Sequence, residues 1–116
     1  MVVEDNSAVR RVSVRALKSH GYEVRSVDSI KAAHDEIAAQ AFDLVVVDMQ
    51  LPDGNGCTLV NELKEANPGL SALLISGHAD DEVRARAHRD GYNILPKPYS
   101  VTALARAVRT ALQKSD

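Results

Sequence analysis

A chain of 116 residues with 45% hydrophobic side chains is long enough to bury one core, so a single domain over residues 1–116 is expected. Fourteen basic against 16 acidic residues leave a net charge of -2, which excludes the basic field that sequence-independent nucleic-acid binding requires. No apolar run approaches the ~18 residues that cross a bilayer, and the single cysteine, Cys57, has no partner for an internal disulfide, so a cytoplasmic, reducing setting is expected.

Val2-Val3 reads as a first short strand and runs directly into Glu4-Asp5. Val9, Val12, Ala16 and Leu17 then recur at helical spacing, and Gly21 stops that helix. Glu23 to Val27 is the second strand candidate, followed by Ser29 as a helix cap and a stripe of Ile30, Ala33, Ile37 and Ala38. Leu44-Val45-Val46-Val47 lacks period-two alternation, which predicts burial on both faces of a parallel sheet, and it ends at Asp48.

Leu59, Val60 and Leu63 mark a third helix, ended by Pro68-Gly69, before a fourth strand at Leu73 to Ile75 that runs into Ser76. The segment from Asp81 to Asp90 carries few apolar residues and predicts a largely exposed helix. Ile94-Leu95 is the fifth strand, leading through Pro96 to Lys97. Val101, Leu104, Ala105, Val108 and Leu112 close the chain with a clear amphipathic helix, leaving Arg106, Arg109 and Gln113 for its wet side. Strict strand–helix alternation with right-handed crossovers predicts an α/β fold with a doubly wound parallel sheet.

In such a sheet the residues that follow the strands gather at one edge, where ligands bind. Glu4, Asp5, Asp48, Ser76 and Lys97 therefore share one predicted crevice. Three carboxylates there raise each other's proton affinity unless a cation intervenes, and an open acidic pocket suits magnesium, which keeps several waters. With Lys97 and one divalent ion the formal charge cancels, leaving room for an incoming phosphoryl group. Taken singly the same residues have plainer readings: a helix-capping pair at Glu4-Asp5, with Asp5 or Asn6 as the cap, a turn at Ser76-Gly77, and a solvated lysine at Lys97. Gly54 and Gly56 begin a GxG, but Leu59 stands where a dinucleotide fingerprint needs its third glycine.

From Val2-Val3-Glu4-Asp5-Asn6, through the run from Leu44 to Gly56, to Lys97-Pro98-Tyr99, the chain resembles the receiver domain of bacterial response regulators over nearly its whole length. The resemblance implies a flavodoxin-like (βα)5 sandwich with a five-stranded sheet in the order 2-1-3-4-5. It implies that Asp48 is the phosphoacceptor, assisted by Lys97 and Ser76. Mg2+ (or Mn2+) would be held by Glu4, Asp5, Asp48 and the main-chain carbonyl of Gln50. Gln50 and His78 would tune hydrolysis of the acyl phosphate. The implied partner is a histidine kinase or histidine phosphotransfer domain, with neither nucleic acid nor membrane contacted directly. Self-association through the last two helices and the fifth strand stays open.

The chain so read is a substrate of its own phosphorylation more than an enzyme. It also implies a cis Lys97–Pro98 bond, a positive φ at Gly56, and a stiffened loop at Pro52. Two departures concern switching: Ile94 stands where relatives usually carry Tyr or Phe, and the stretch from Gly91 to Lys97 is one residue short. Tyr92 or Tyr99 is then a candidate replacement, with Tyr99 also readable as a half-buried packing residue. The competing reading is a receiver-like interaction module that works without phosphorylation.

Overall fold

The computed structural model of the chain describes residues 1–76, 93–97 and 99–113. Its elements are β1 (Val2–Val3), α1 (Ser7–Ser19), β2 (Ser26–Val27), α2 (Ile30–Ala39), β3 (Leu44–Asp48), β4 (Gln50–Leu51), β5 (Gly54–Asn55), α3 (Gly56–Ala66), β6 (Ser71–Ser76), β7 (Asn93–Pro96) and α4 (Val101–Gln113). β2, β1, β3, β6 and β7 lie side by side in that order, and every neighbouring pair is parallel. With β4 and β5 set aside as a separate hairpin, this is the expected 2-1-3-4-5 order. The helix expected from Asp81 to Asp90 lies outside the described residues, as do His78, Tyr92 and the Lys97–Pro98 bond.

The unalternated run at Leu44–Val47 is buried throughout because its side chains feed two cores by turns. Val45 and Val47 join Val3 and Leu74 under α2 and α3, against Ala33, Leu59, Val60 and Leu63. Leu44 and Val46 join Val2, Leu73 and Ile75 under α1 and α4, against Ala16, Leu17, Leu104 and Val108. Each such Val or Leu contributes roughly 1.5–3 kcal/mol by leaving water, so this central strand anchors both layers.

Three expectations need correction. Val12 is 56% exposed, because the inward stripe of α1 runs through Ser13, which is 3% exposed and meets the Tyr99 hydroxyl at 3.3 Å. β2 is shorter than Glu23 to Val27, since β1 offers only Val2 and Val3 for it to pair with. Gly56 does not have a positive φ; that conformation occurs at Gly21 and Gly54 among the described residues. Gly56 is needed for closeness instead: a Cβ there would lie 2.2 Å from the Asp48 carbonyl oxygen.

The hairpin has no counterpart in the expected elements. Gln50 pairs with Asn55 and Leu51 with Gly54 around a turn at Pro52-Asp53, immediately after the β3 tip. Asn55 caps α3 by accepting the Cys57 amide at 2.7 Å, and Ser29 caps α2 by accepting the Ala32 amide at 3.1 Å.

Candidate functional site

Parallel register carries each strand to the same edge of the sheet. Val3 aligns with Val47, which sets Glu4 beside Asp48; Asp48 aligns with Ile75, and Ser76 with Pro96, the residue before Lys97. The Lys97 amide donates to the Ser76 carbonyl at 2.7 Å, so the last two tips are tied together. Glu4, Asp48 and Ser76 are buried, and Asp5 is exposed at the rim.

Of the two capping candidates, Asn6 is the cap of α1: its side-chain oxygen accepts the Ala8 and Val9 amides at 3.0 and 3.1 Å. Asp5 is left facing the cleft. That cleft has a volume of about 410 Å³ and is lined by Glu4, Asp5, Asp48, Gln50 and Lys97 among others.

The Lys97 ammonium donates to Asp48 Oδ2 at 2.7 Å and stands 3.6 Å from Glu4 Oε1. Asp48 Oδ1 accepts the Gln50 amide at 3.0 Å. Both donors are thus committed to Asp48. Among the described residues neither oxygen of Glu4 has a donor at hydrogen-bonding distance, although both are buried.

The electrostatics follow from that asymmetry. Burial pushes the Glu4 carboxyl up to about 7, reinforced by the neighbouring Asp48 carboxylate and its charge, against a smaller pull from Lys97. Burial acts on Asp48 in the same sense but is outweighed by the neighbouring Glu4 carboxyl, the Lys97 ammonium and the Gln50 amide, which hold it below the usual carboxylate range. Burial lowers Lys97, and the bond and charge of Asp48 more than reverse this, leaving it raised. Mutual repulsion therefore falls on one member of the pair.

One carboxylate oxygen from each of Glu4, Asp5 and Asp48 lies within 4.8 Å of the others. Two buried, donorless oxygens on Glu4 beside an exposed Asp5 are what a hard, oxygen-seeking cation satisfies, so these residues fit a divalent ion. The sequence alone did not single out Arg10, whose guanidinium donates to the Glu4 carbonyl at 2.9 Å and steadies the β1 tip. Its signal was only a cation in the first helical turn beyond an acidic strand end.

The receiver-domain profile of response regulators ("Response regulator receiver domain") matches residues 1–109. The chain belongs to the response regulator receiver domain family. It is 37% identical to the sensor kinase CckA of Brucella abortus over all of this chain and 13% of that protein. To the DNA-binding transcriptional regulator NtrC of Rhizobium meliloti it is 35% identical over 97% of this chain and 23% of the regulator. The chain thus spans a quarter or less of these two relatives. The crystal structure of the receiver domain of NtrX from Brucella abortus superposes with a TM-score of 0.89 at 30% identity, covering 97% of this chain and 96% of that one.

Of the residues considered for this receiver's switch, Ile94 and Tyr99 lie on opposite faces of its sheet. Ile94 packs with the core under α2 and α3, and Tyr99 with the core under α1 and α4. Tyr99 is half-buried and its hydroxyl is engaged by Ser13.

Proposed function

We propose that this receiver takes a phosphoryl group from a phosphohistidine of a histidine kinase or phosphotransfer domain onto Asp48. The observation that carries this reading is the Glu4–Asp48–Lys97 group, its two carboxylates buried, with Asp48 held by the Lys97 ammonium and the Gln50 amide and Glu4 without a hydrogen-bond donor among the described residues. An Asp48 oxygen attacks phosphorus, the phosphorus–nitrogen bond of the donor breaks, and the imidazole leaves with the electron pair and takes up a proton. Water later hydrolyses the acyl phosphate to carboxylate and inorganic phosphate.

Phosphoryl transfer asks a protein mainly for alignment and for charge on the equatorial oxygens. Lys97, already on Asp48, supplies one positive charge, and the Ser76 hydroxyl is assigned to the phosphorylated form. Glu4, Asp5, Asp48 and the Gln50 main-chain carbonyl would hold Mg2+ (or Mn2+), which neutralises phosphoryl charge when bound. Gln50 and His78 are assigned to control of hydrolysis, and Ile94 with Tyr99 to switching. The domain acts as a cytoplasmic signalling substrate and not as an enzyme on other molecules, with no direct contact to nucleic acid. No helix among the described residues is long and apolar enough to cross a membrane.

Acetyl phosphate with and without Mg2+ tests this on wild type and Asp48→Asn. Metal-dependent labelling confined to wild type is expected, together with beryllofluoride binding and a change in molecular size if phosphorylation drives self-association. Absence of both labelling and beryllofluoride binding in the wild type would leave the phosphorylation-independent interaction module as the better reading.

A further inference from the structure

The first amides of a helix have no acceptor within it, and most helices find one in a neighbouring cap residue. α2 does this only in part. Ser29 takes the Ala32 amide, while the Ile30 and Lys31 amides donate to Asp53 Oδ1 and Oδ2 at 3.0 and 3.2 Å, across 23 and 22 positions of sequence. These bonds hold the Asp53 carboxyl below the usual carboxylate range.

Asp53 sits at the turn of the β4–β5 hairpin, whose strands, among the described residues, pair with each other and not with the large sheet. The hairpin therefore takes its position from its surroundings. On one side Asn55 caps α3; on the other Asp53 caps α2, and Gly54 packs so close to α2 that a Cβ would lie 2.7 Å from Ile30 Cδ1. Gln50 belongs to the same hairpin, paired with Asn55, and its amide is on Asp48 Oδ1.

We propose that Asp53 is a positioning residue for the phosphoacceptor site, clamping the hairpin to the start of α2 so that the Gln50 backbone stays in place at Asp48. In its consequence for metal the inference rests on the function proposed above. A residue that fixes a ligating backbone without touching the ion costs about tenfold in metal affinity when removed.

The experiment uses the whole chain as wild type, Asp53→Ala, Asp53→Asn and Ser29→Ala. Mg2+ affinity is measured by calorimetry, and exchange of the Gln50 amide by NMR in metal-free protein, at a temperature where circular dichroism shows every variant folded. Asp53→Ala should weaken Mg2+ binding about tenfold and speed Gln50 exchange by a similar factor. Asp53→Asn, which keeps one acceptor, should fall between. Ser29→Ala weakens the same helix end without touching the hairpin and should leave both readouts at the wild-type value.

Unchanged Mg2+ affinity and exchange in Asp53→Ala would overturn the inference. So would equal losses in Ser29→Ala, which would make the effect one of helix stability alone. If wild type binds no Mg2+, the proposed function fails, and the Gln50 exchange rates still decide whether the clamp exists.

Discussion

Glu4→Gln is the sharpest test of how the acidic site is balanced. In the metal-free protein the Glu4 carboxyl is held near pKa 7 against an ordinary value of 4.5. A folded-state value above the unfolded one means a stabilising contribution that is complete below about pH 4.5 and lost as pH rises through about 7. At about 1.4 kcal/mol per pH unit the loss comes to on the order of 3 kcal/mol. Because the cleft opens to solvent on one side, screening trims this toward about 2 kcal/mol.

A Gln side chain resembles the protonated acid and can donate to Asp48 at every pH. Urea denaturation of metal-free protein at pH 5 and pH 8 should therefore show wild type losing about 2 kcal/mol more than Glu4→Gln over that interval. Mg2+ at about 100 times its dissociation constant should return up to about 2.7 kcal/mol to wild type at pH 8, and less to the variant. Equal pH slopes in the two proteins would refute the assignment of the raised pKa to Glu4, whatever the metal does.

Lys97→Met removes the cation shared by two buried carboxylates; at pH 8 without metal it should cost on the order of 3 kcal/mol in denaturant unfolding, and most of that should vanish in Lys97→Met/Glu4→Gln. Gly56→Ala drives a Cβ into the Asp48 carbonyl, so the β3–hairpin junction must shift; a loss of about 1–3 kcal/mol is expected with acetyl phosphate labelling slowed, whereas Gly69→Ala, at an open position, should change neither. Tyr99→Phe leaves the buried Ser13 hydroxyl without its partner and should lower stability by about 1 kcal/mol, with Ser13→Ala/Tyr99→Phe recovering part of it.

The layered α/β architecture was legible because it rests on burial, and burial writes itself into composition. Leu44 to Val47 could not alternate without wetting one side, and Glu4, Asp48, Ser76 and Lys97 each directly follow, or end, an apolar run. Contacts between distant segments away from that strand-end edge were not legible. Asp53 reads locally as a turn residue, and nothing near it in sequence says that its acceptors serve Ile30 and Lys31. Ser13 looks like an interruption of an apolar stripe until Tyr99 is placed above it. Gly56 was correctly singled out for the wrong reason, since a glycine in sequence does not distinguish a required φ from a required absence of Cβ.

Placement also governs what one lysine can do at Asp48. At 2.7 Å from Asp48 and 3.6 Å from Glu4, Lys97 neutralises the first and only biases the second, so a proton or a cation must complete Glu4. On the proposed reading, a phosphoryl group on Asp48 brings new negative oxygens into that space and competes for the same ammonium. Any move of Lys97 toward them is constrained by its amide bond to the Ser76 carbonyl, which joins the lysine to the tip of β6. On the same reading, charge arriving at Asp48 acts on the ends of β6 and β7 through Lys97, a route that involves no aromatic side chain in place of Ile94.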